Sequence, residues 1–105
     1  MNTTEYKMVW LIYNISIEEE VSDLLAKVGI ACYTQWPRVL GKGVSTGPKL
    51  DTSVWPGANA AIMAVTTAEQ ARKLMDAVQN LRNEIGSHEG IKAFLTPVEQ
   101  MTGDI

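Results

Sequence analysis

The chain has one cysteine, one histidine and one phenylalanine among its 105 residues. These scarcities, with two others, close off several classes of function. Cys32 alone cannot form an internal disulfide, so a reducing compartment is implied and the expected location is cytoplasmic. Nor can one cysteine per chain supply two thiolates to a soft metal ion. Basic residues are outnumbered, 9 lysines and arginines against 12 aspartates and glutamates, for a net charge of −3. Binding nucleic acid through its phosphates needs the opposite excess, because cations must displace condensed counterions. Long hydrophobic runs are missing too. The longest, Met8 to Tyr13, falls far short of the roughly 20 residues that cross a bilayer, so no membrane insertion is expected. The opening Met1-Asn2-Thr3-Thr4-Glu5 has neither the basic start nor the small-residue cleavage site of a signal peptide.

What remains is the composition of an ordinary globule, 46% hydrophobic and 20% charged. The length suits a single domain spanning residues 1–105. Domains this small are marginal unless something adds burial, and association between copies is the obvious supplement.

Tyr6 to Tyr13 is apolar on both alternating faces, Met8/Trp10/Ile12 and Val9/Leu11/Tyr13, which is the pattern of a central strand. Ser16 with Glu19 three residues later matches a capping box. Ile17, Val21, Leu24, Leu25 and Val28 then follow at helical spacing until Gly29, a left-handed stop. Ala31 to Leu40 reads as a second strand, and Pro37 within it places that strand on an edge. Residues 41–57 carry four glycines and two prolines with no usable period, which reads as a long loop. Asn59 to Thr66 is a third strand, and Thr67 with Gln70 opens a second helix that ends at Gly86. Gly90 to Val98 closes the set as a fourth strand, with Met101 to Ile105 as a short tail.

The order β-α-β-β-α-β predicts an α+β fold, the ferredoxin-like βαββαβ sandwich, with an antiparallel sheet and two helices on one face. Right-handed crossovers put the first and third strands in the middle. The first strand is apolar on both faces, yet helices cover only one. An uncovered apolar face of more than a few hundred Å² marks an interaction site, so this face is expected to be buried between subunits.

Other uses of this sandwich lack their residues here. RNA-recognition domains stack bases on aromatics of the third strand, whereas this one reads Ala60-Ala61-Ile62-Met63-Ala64-Val65. The loop after the first strand, Asn14-Ile15-Ser16, has neither the Cys-x-x-Cys of a metal chaperone nor the arginine of an acylphosphatase. Cys32 and His88 could form a catalytic pair, or they could be a small buried hydrophobe opening the edge strand and a turn residue. No acid–base or nucleophile set stands out, and no enzyme activity is expected. His88 with Glu89 could ligate a divalent metal where copies converge.

Two segments carry a family signature. Val39-Leu40-Gly41-Lys42-Gly43 resembles the Val-x-Gly-x-Gly with which the PII family of signalling proteins opens its T-loop. Gly90-Ile91-Lys92-Ala93-Phe94-Leu95-Thr96-Pro97-Val98-Glu99 is similar to the family's Gly-Lys-Ile-Phe-Val-x-Pro-Val-Glu, and Thr102-Gly103-Asp104 to its Thr-Gly-Glu ending. The resemblance implies a homotrimer with clefts between subunits that bind adenine nucleotides. It also implies a T-loop, here 41–57, that grips a protein target such as a membrane transporter. Gly41, Gly43, Gly90 and Lys92 would then bind the ligand, the glycines by close approach and exposed N–H groups and the lysine by its charge. Lys42, Lys49 and Trp55 would meet the partner.

The chain also departs from that pattern. The arginine pair before Thr-Gly-Glu is missing, since Gln100-Met101 runs straight into Thr102. Ile91 replaces the glycine before the lysine, and Val44-Ser45 replace the arginine and glutamine after Gly-x-Gly. Without bidentate arginines, AMP, ADP, a cyclic nucleotide, bicarbonate or a metal ion suits the clefts at least as well as ATP. A divalent-metal-responsive trimer like the CutA proteins is the alternative reading. Trp36 and Trp55 bracket the loop, either as surfaces for an adenine or a partner or as anchors of the loop base.

Overall fold

The computed structural model describes residues 4–43, 47–49, 57–86 and 90–103. The elements are β1 (Tyr6–Asn14), a 3-10 turn (Ile15–Ile17), α1 (Glu18–Val28), β2 (Thr34–Val39), β3 (Gly41–Gly43), β4 (Gly47–Lys49), β5 (Asn59–Thr67), α2 (Ala68–Ile85) and β6 (Ile91–Pro97). The main sheet has the order β2-β5-β1-β6, with every pairing antiparallel. The two strands expected in the middle are there, and the proline-bearing strand is at an edge.

The alternation along β1 sorts its side chains cleanly. Val9, Leu11 and Tyr13 are buried with Ile62, Val21, Leu25, Leu74 and Val78 in one core between the sheet and the helices. Alanines at 60 and 64 on β5 let the helices approach closely, and both are buried.

Local chemistry explains the boundaries, including those that differ from expectation. Ser16 was expected to cap α1. Instead Asn14 accepts a hydrogen bond from the Ser16 N–H at 3.0 Å and tightens residues 15–17 into the 3-10 turn. α1 therefore starts later, with Glu18, Glu19 and Glu20 in its first turn, where carboxylates complement the positive end of the helix dipole. Gly29 ends α1 at φ 88° and donates to the carbonyls of Leu25 and Ala26, as a left-handed stop should. Thr67 caps α2, its hydroxyl accepting from the Gln70 N–H at 3.2 Å.

The second strand is shorter than the expected Ala31 to Leu40. Cys32 lies before it and is exposed, so it is not a buried hydrophobe opening the strand. Within β2, Trp36 pairs with Ala61 and Val39 with Asn59, so three steps along β2 match two along β5. The extra residue is a bulge next to Pro37, where a missing N–H does least harm. Residues 41–57 are not wholly irregular. β3 and β4 pair as a small antiparallel ribbon, Gly41 with Lys49 and Gly43 with Gly47. Its residues include three glycines and a proline, which conceal it from any reading based on side-chain pattern. Trp55 lies outside the described residues.

A polar clasp ties three elements together on the helix-covered side. The Tyr13 hydroxyl donates to Glu18 Oε2 at 2.6 Å, and Gln35 Nε2 donates to that hydroxyl at 2.9 Å and to Glu18 Oε1 at 2.7 Å. Central strand, helix start and edge strand are thereby joined. Burial, then the hydrogen bond to the Glu18 carboxylate, pushes the Tyr13 phenol well above its ordinary pKa of 10.0. A phenol harder to ionise when folded stabilises the fold fully below the unfolded pKa and progressively less above it. Tyr13→Phe should thus flatten the loss of stability above about pH 10, measured by chemical denaturation across alkaline pH against the parent chain.

Candidate functional site

The sheet face away from the helices has no cover among the described residues. Met8, Trp10 and Ile12 of β1 point to it, with Met63 and Val65 of β5 and Phe94 of β6 beside them by register. Ile12, Trp36 and Phe94 are 39%, 41% and 49% exposed. This is the second apolar face that the sequence pattern of β1 demands.

Trp10 and Trp36 stack here, ring centroids 5.5 Å apart and planes at 22°. They belong to β1 and β2, with β5 between them. Ala61 is small enough to lie beneath, and it is buried although it faces outward. Trp36 is therefore committed to the chain's own surface rather than held free at the loop base.

Polar groups gather at one end of this face. Asn14 pairs with Asn59 across β1 and β5, and the Asn14 N–H donates to the Gly90 carbonyl at 2.9 Å. Gly41 follows β2 and packs on Asn59. A Cβ at position 41 would sit 2.7 Å from the Asn59 side-chain nitrogen, a distance that real Cβ contacts do not show. Gly41 thus has a packing reason as well as any ligand-binding one. Lys92 is exposed two residues inward from Gly90, paired with Ile12 on this face.

The residues expected to bind ligand are brought to one end of the sheet but not to one point. Gly41 and Gly43 continue from β2, while Gly90 and Lys92 sit at β6. Those edges are three strand spacings apart, about 14 Å. Lys42 is exposed in β3, and the backbone of Lys49 pairs with Gly41 in the ribbon. His88 and Glu89 lie outside the described residues. Among the described residues no group of three or more His, Cys, Asp or Glu could hold a metal ion, and no helix is long and apolar enough to cross a membrane.

The strand order and the Gly-x-Gly at the ribbon are joined by agreement along the chain: the family model of the nitrogen regulatory protein P-II matches residues 6–103. The chain belongs to the P-II family. Solved structures share the fold. CPII from Thiomonas intermedia K12, a PII-like protein bound to ADP, AMP and bicarbonate, superposes with a TM-score of 0.68 at 20% identity, covering 91% of this chain and 90% of that one. A Bacillus subtilis GlnK–ATP complex gives 0.64 at 15% identity over 92% and 86% of the two chains. A DUF3240 family protein from Shewanella baltica OS155 gives 0.67 at 15% identity over 100% and 99%. Among curated proteins none matches the chain.

One contact near Lys92 escaped the sequence reading. Arg82, on the exposed side of α2, donates from Nη1 to the Ile91 carbonyl just before Lys92. A surface arginine on an amphipathic helix carries no signal of that contact, because it depends on where β6 returns.

Proposed function

We propose that this P-II family chain is a ligand-sensing regulator that works as a homotrimer. Copies join through the bare sheet face, and a small anionic effector, an adenine nucleotide such as ADP, AMP or ATP, binds in the clefts where subunits meet. Segment 41–57 then reports the bound state to a protein target, with a membrane transporter as the expected class. One observation carries the reading: the cation Lys92 and the glycines Gly41 and Gly43 lie on opposite edges of one apolar face. The edge of one copy must meet the opposite edge of the next for them to share a ligand. The ligands of CPII support the choice of effector. The space at Gly90 is open among the described residues, since an added Cβ would meet nothing within 4 Å. The mechanism is a shift in population, so the effector must favour one arrangement of the loop over another.

Lys92→Ala tests the site. ADP at a hundred times its dissociation constant adds about 2.7 kcal/mol to the parent chain. For a domain of this size that raises the melting temperature by on the order of 10 °C. The variant should lose most of this rise while keeping its ligand-free melting temperature. An undiminished rise would remove Lys92 from the site.

A further inference from the structure

We infer that the outer rim of β6 is a docking edge for β6 of a second copy, paired antiparallel across a two-fold axis. The inference goes beyond the function proposed above. The clefts use side chains on the bare face, whereas this contact uses main-chain groups of the rim. The Asn14 N–H donates to the Gly90 carbonyl and the Val98 N–H to the Tyr6 carbonyl. Even-numbered residues of 90–98 therefore turn their main-chain groups toward β1, and alternation turns those of Ile91, Ala93, Leu95 and Pro97 outward. Among the described residues nothing bonds to the outward groups of Ala93 and Leu95. Such a rim is a template for another strand.

The occupant follows from the two ends of the rim. Pro97 has no N–H to give, and the Ile91 carbonyl already accepts from Arg82 Nη1. In a register centred on Phe94, Ala93 of each copy faces Leu95 of the other, and Ile91 faces Pro97. The missing donor thereby meets the one outward carbonyl that has its bond already, and the two-fold axis makes this match twice. The side chains agree. Leu95 is 45% exposed although it shares the helix-covered side with Val9. Across the rim it would stand beside Ala93 of the other copy, over a notch of about 270 Å³ that Met75, Val78 and Gln79 of α2 help to line. Antiparallel pairing also puts both bare faces on one side of the joined sheet, where they stay open to further copies. Two ladder pairs are few beside the about 1,000 Å² of a stable interface. Copies joined only here therefore part readily at micromolar concentration, and covalent trapping reads the contact.

Disulfide trapping in the full chain, with Cys32→Ser as background, tests the register. Phe94→Cys places two thiols at a non-hydrogen-bonded pair with Cα atoms about 4.5 Å apart, within reach of a disulfide. Thr96→Cys is exposed on the same side, but its two copies would be four residues apart along the strands, about 13 Å. Diamide should join Phe94→Cys chains about tenfold faster than Thr96→Cys chains, or more. Leu95→Pro removes an outward N–H and spares the bonds to β1, while Leu95→Lys brings a second cation near Arg82 of the other copy. Each should abolish the joining. Trp10→Glu should leave it unchanged, because that residue acts through the face. Equal rates at positions 94 and 96, no joining at all, or joining that survives either Leu95 variant would overturn the inference. Joining lost with Trp10→Glu would place the contact within the face, overturning the inference and leaving the proposed function standing.

Discussion

Trp10→Glu is expected to turn an assembled protein into monomers without unfolding them. Trp10 sits at the centre of the uncovered face, paired across the sheet with Met63 and Phe94 and stacked on Trp36. In a monomer the new carboxylate would reach water, because among the described residues no helix lies above this face. Between subunits it would be buried with no partner and would face its own copies. An uncompensated buried charge costs about 3 kcal/mol or more, and every copy would bear that cost. Sedimentation velocity at micromolar concentration should show a trimer for the parent and a monomer for the variant, with matching far-ultraviolet circular dichroism. A parent chain that sediments as a well-folded monomer would rule out shared clefts.

Leu11→Ala should have the largest effect on stability. Leu11 is fully buried on the opposite side of the same strand and pairs with Ile62 and Ala93. Its flanking core positions on β1 are Val9 and Tyr13, both held by ladders on two sides, so the backbone cannot collapse to fill the space. Truncating a leucine in such a place costs about 2–5 kcal/mol. The whole stability of a small domain is only about 5–15 kcal/mol. The melting temperature should drop by about 10 °C or more, as read by calorimetry. A drop of only a degree or two would mean that β1 is not the rigid centre of the fold. The two substitutions lie one residue apart and act through different faces, so the first should change association and the second the folding of each subunit.

The sequence announces these faces because both parities of Tyr6 to Tyr13 are apolar. No amphipathic edge strand shows that pattern, so centrality and an uncovered face follow from one observation. Thr67 is equally legible, since its side chain needs only the N–H three residues on. The start of α1 is not. Asn14 and Ser16 are both good caps, and the choice between them depends on how β1 leaves the sheet. The β3–β4 ribbon is hidden because three of its six residues are glycines and one a proline, which carry no strand pattern. The family pattern picked out Gly41 and Lys92 together, and the sheet then showed them on different edges. Arg82 was legible only as a solvated helix residue. Its contact spans the turn into β6, and no local pattern encodes such a return.

The bulge and proline in β2 have a consequence for how copies can meet. An open strand rim with regular donors is a template on which another chain can lay itself down, and repeated laying-down makes filaments. Here the rim nearest the ribbon is kinked by one surplus residue and lacks a donor at Pro37. Lateral growth along that side is blocked. The opposite rim, β6, is regular, but with the β2 rim blocked it can add only one further copy, and the flat oily side is used up once a few copies close around it, so the molecule's own geometry favours a finite particle over a fibre.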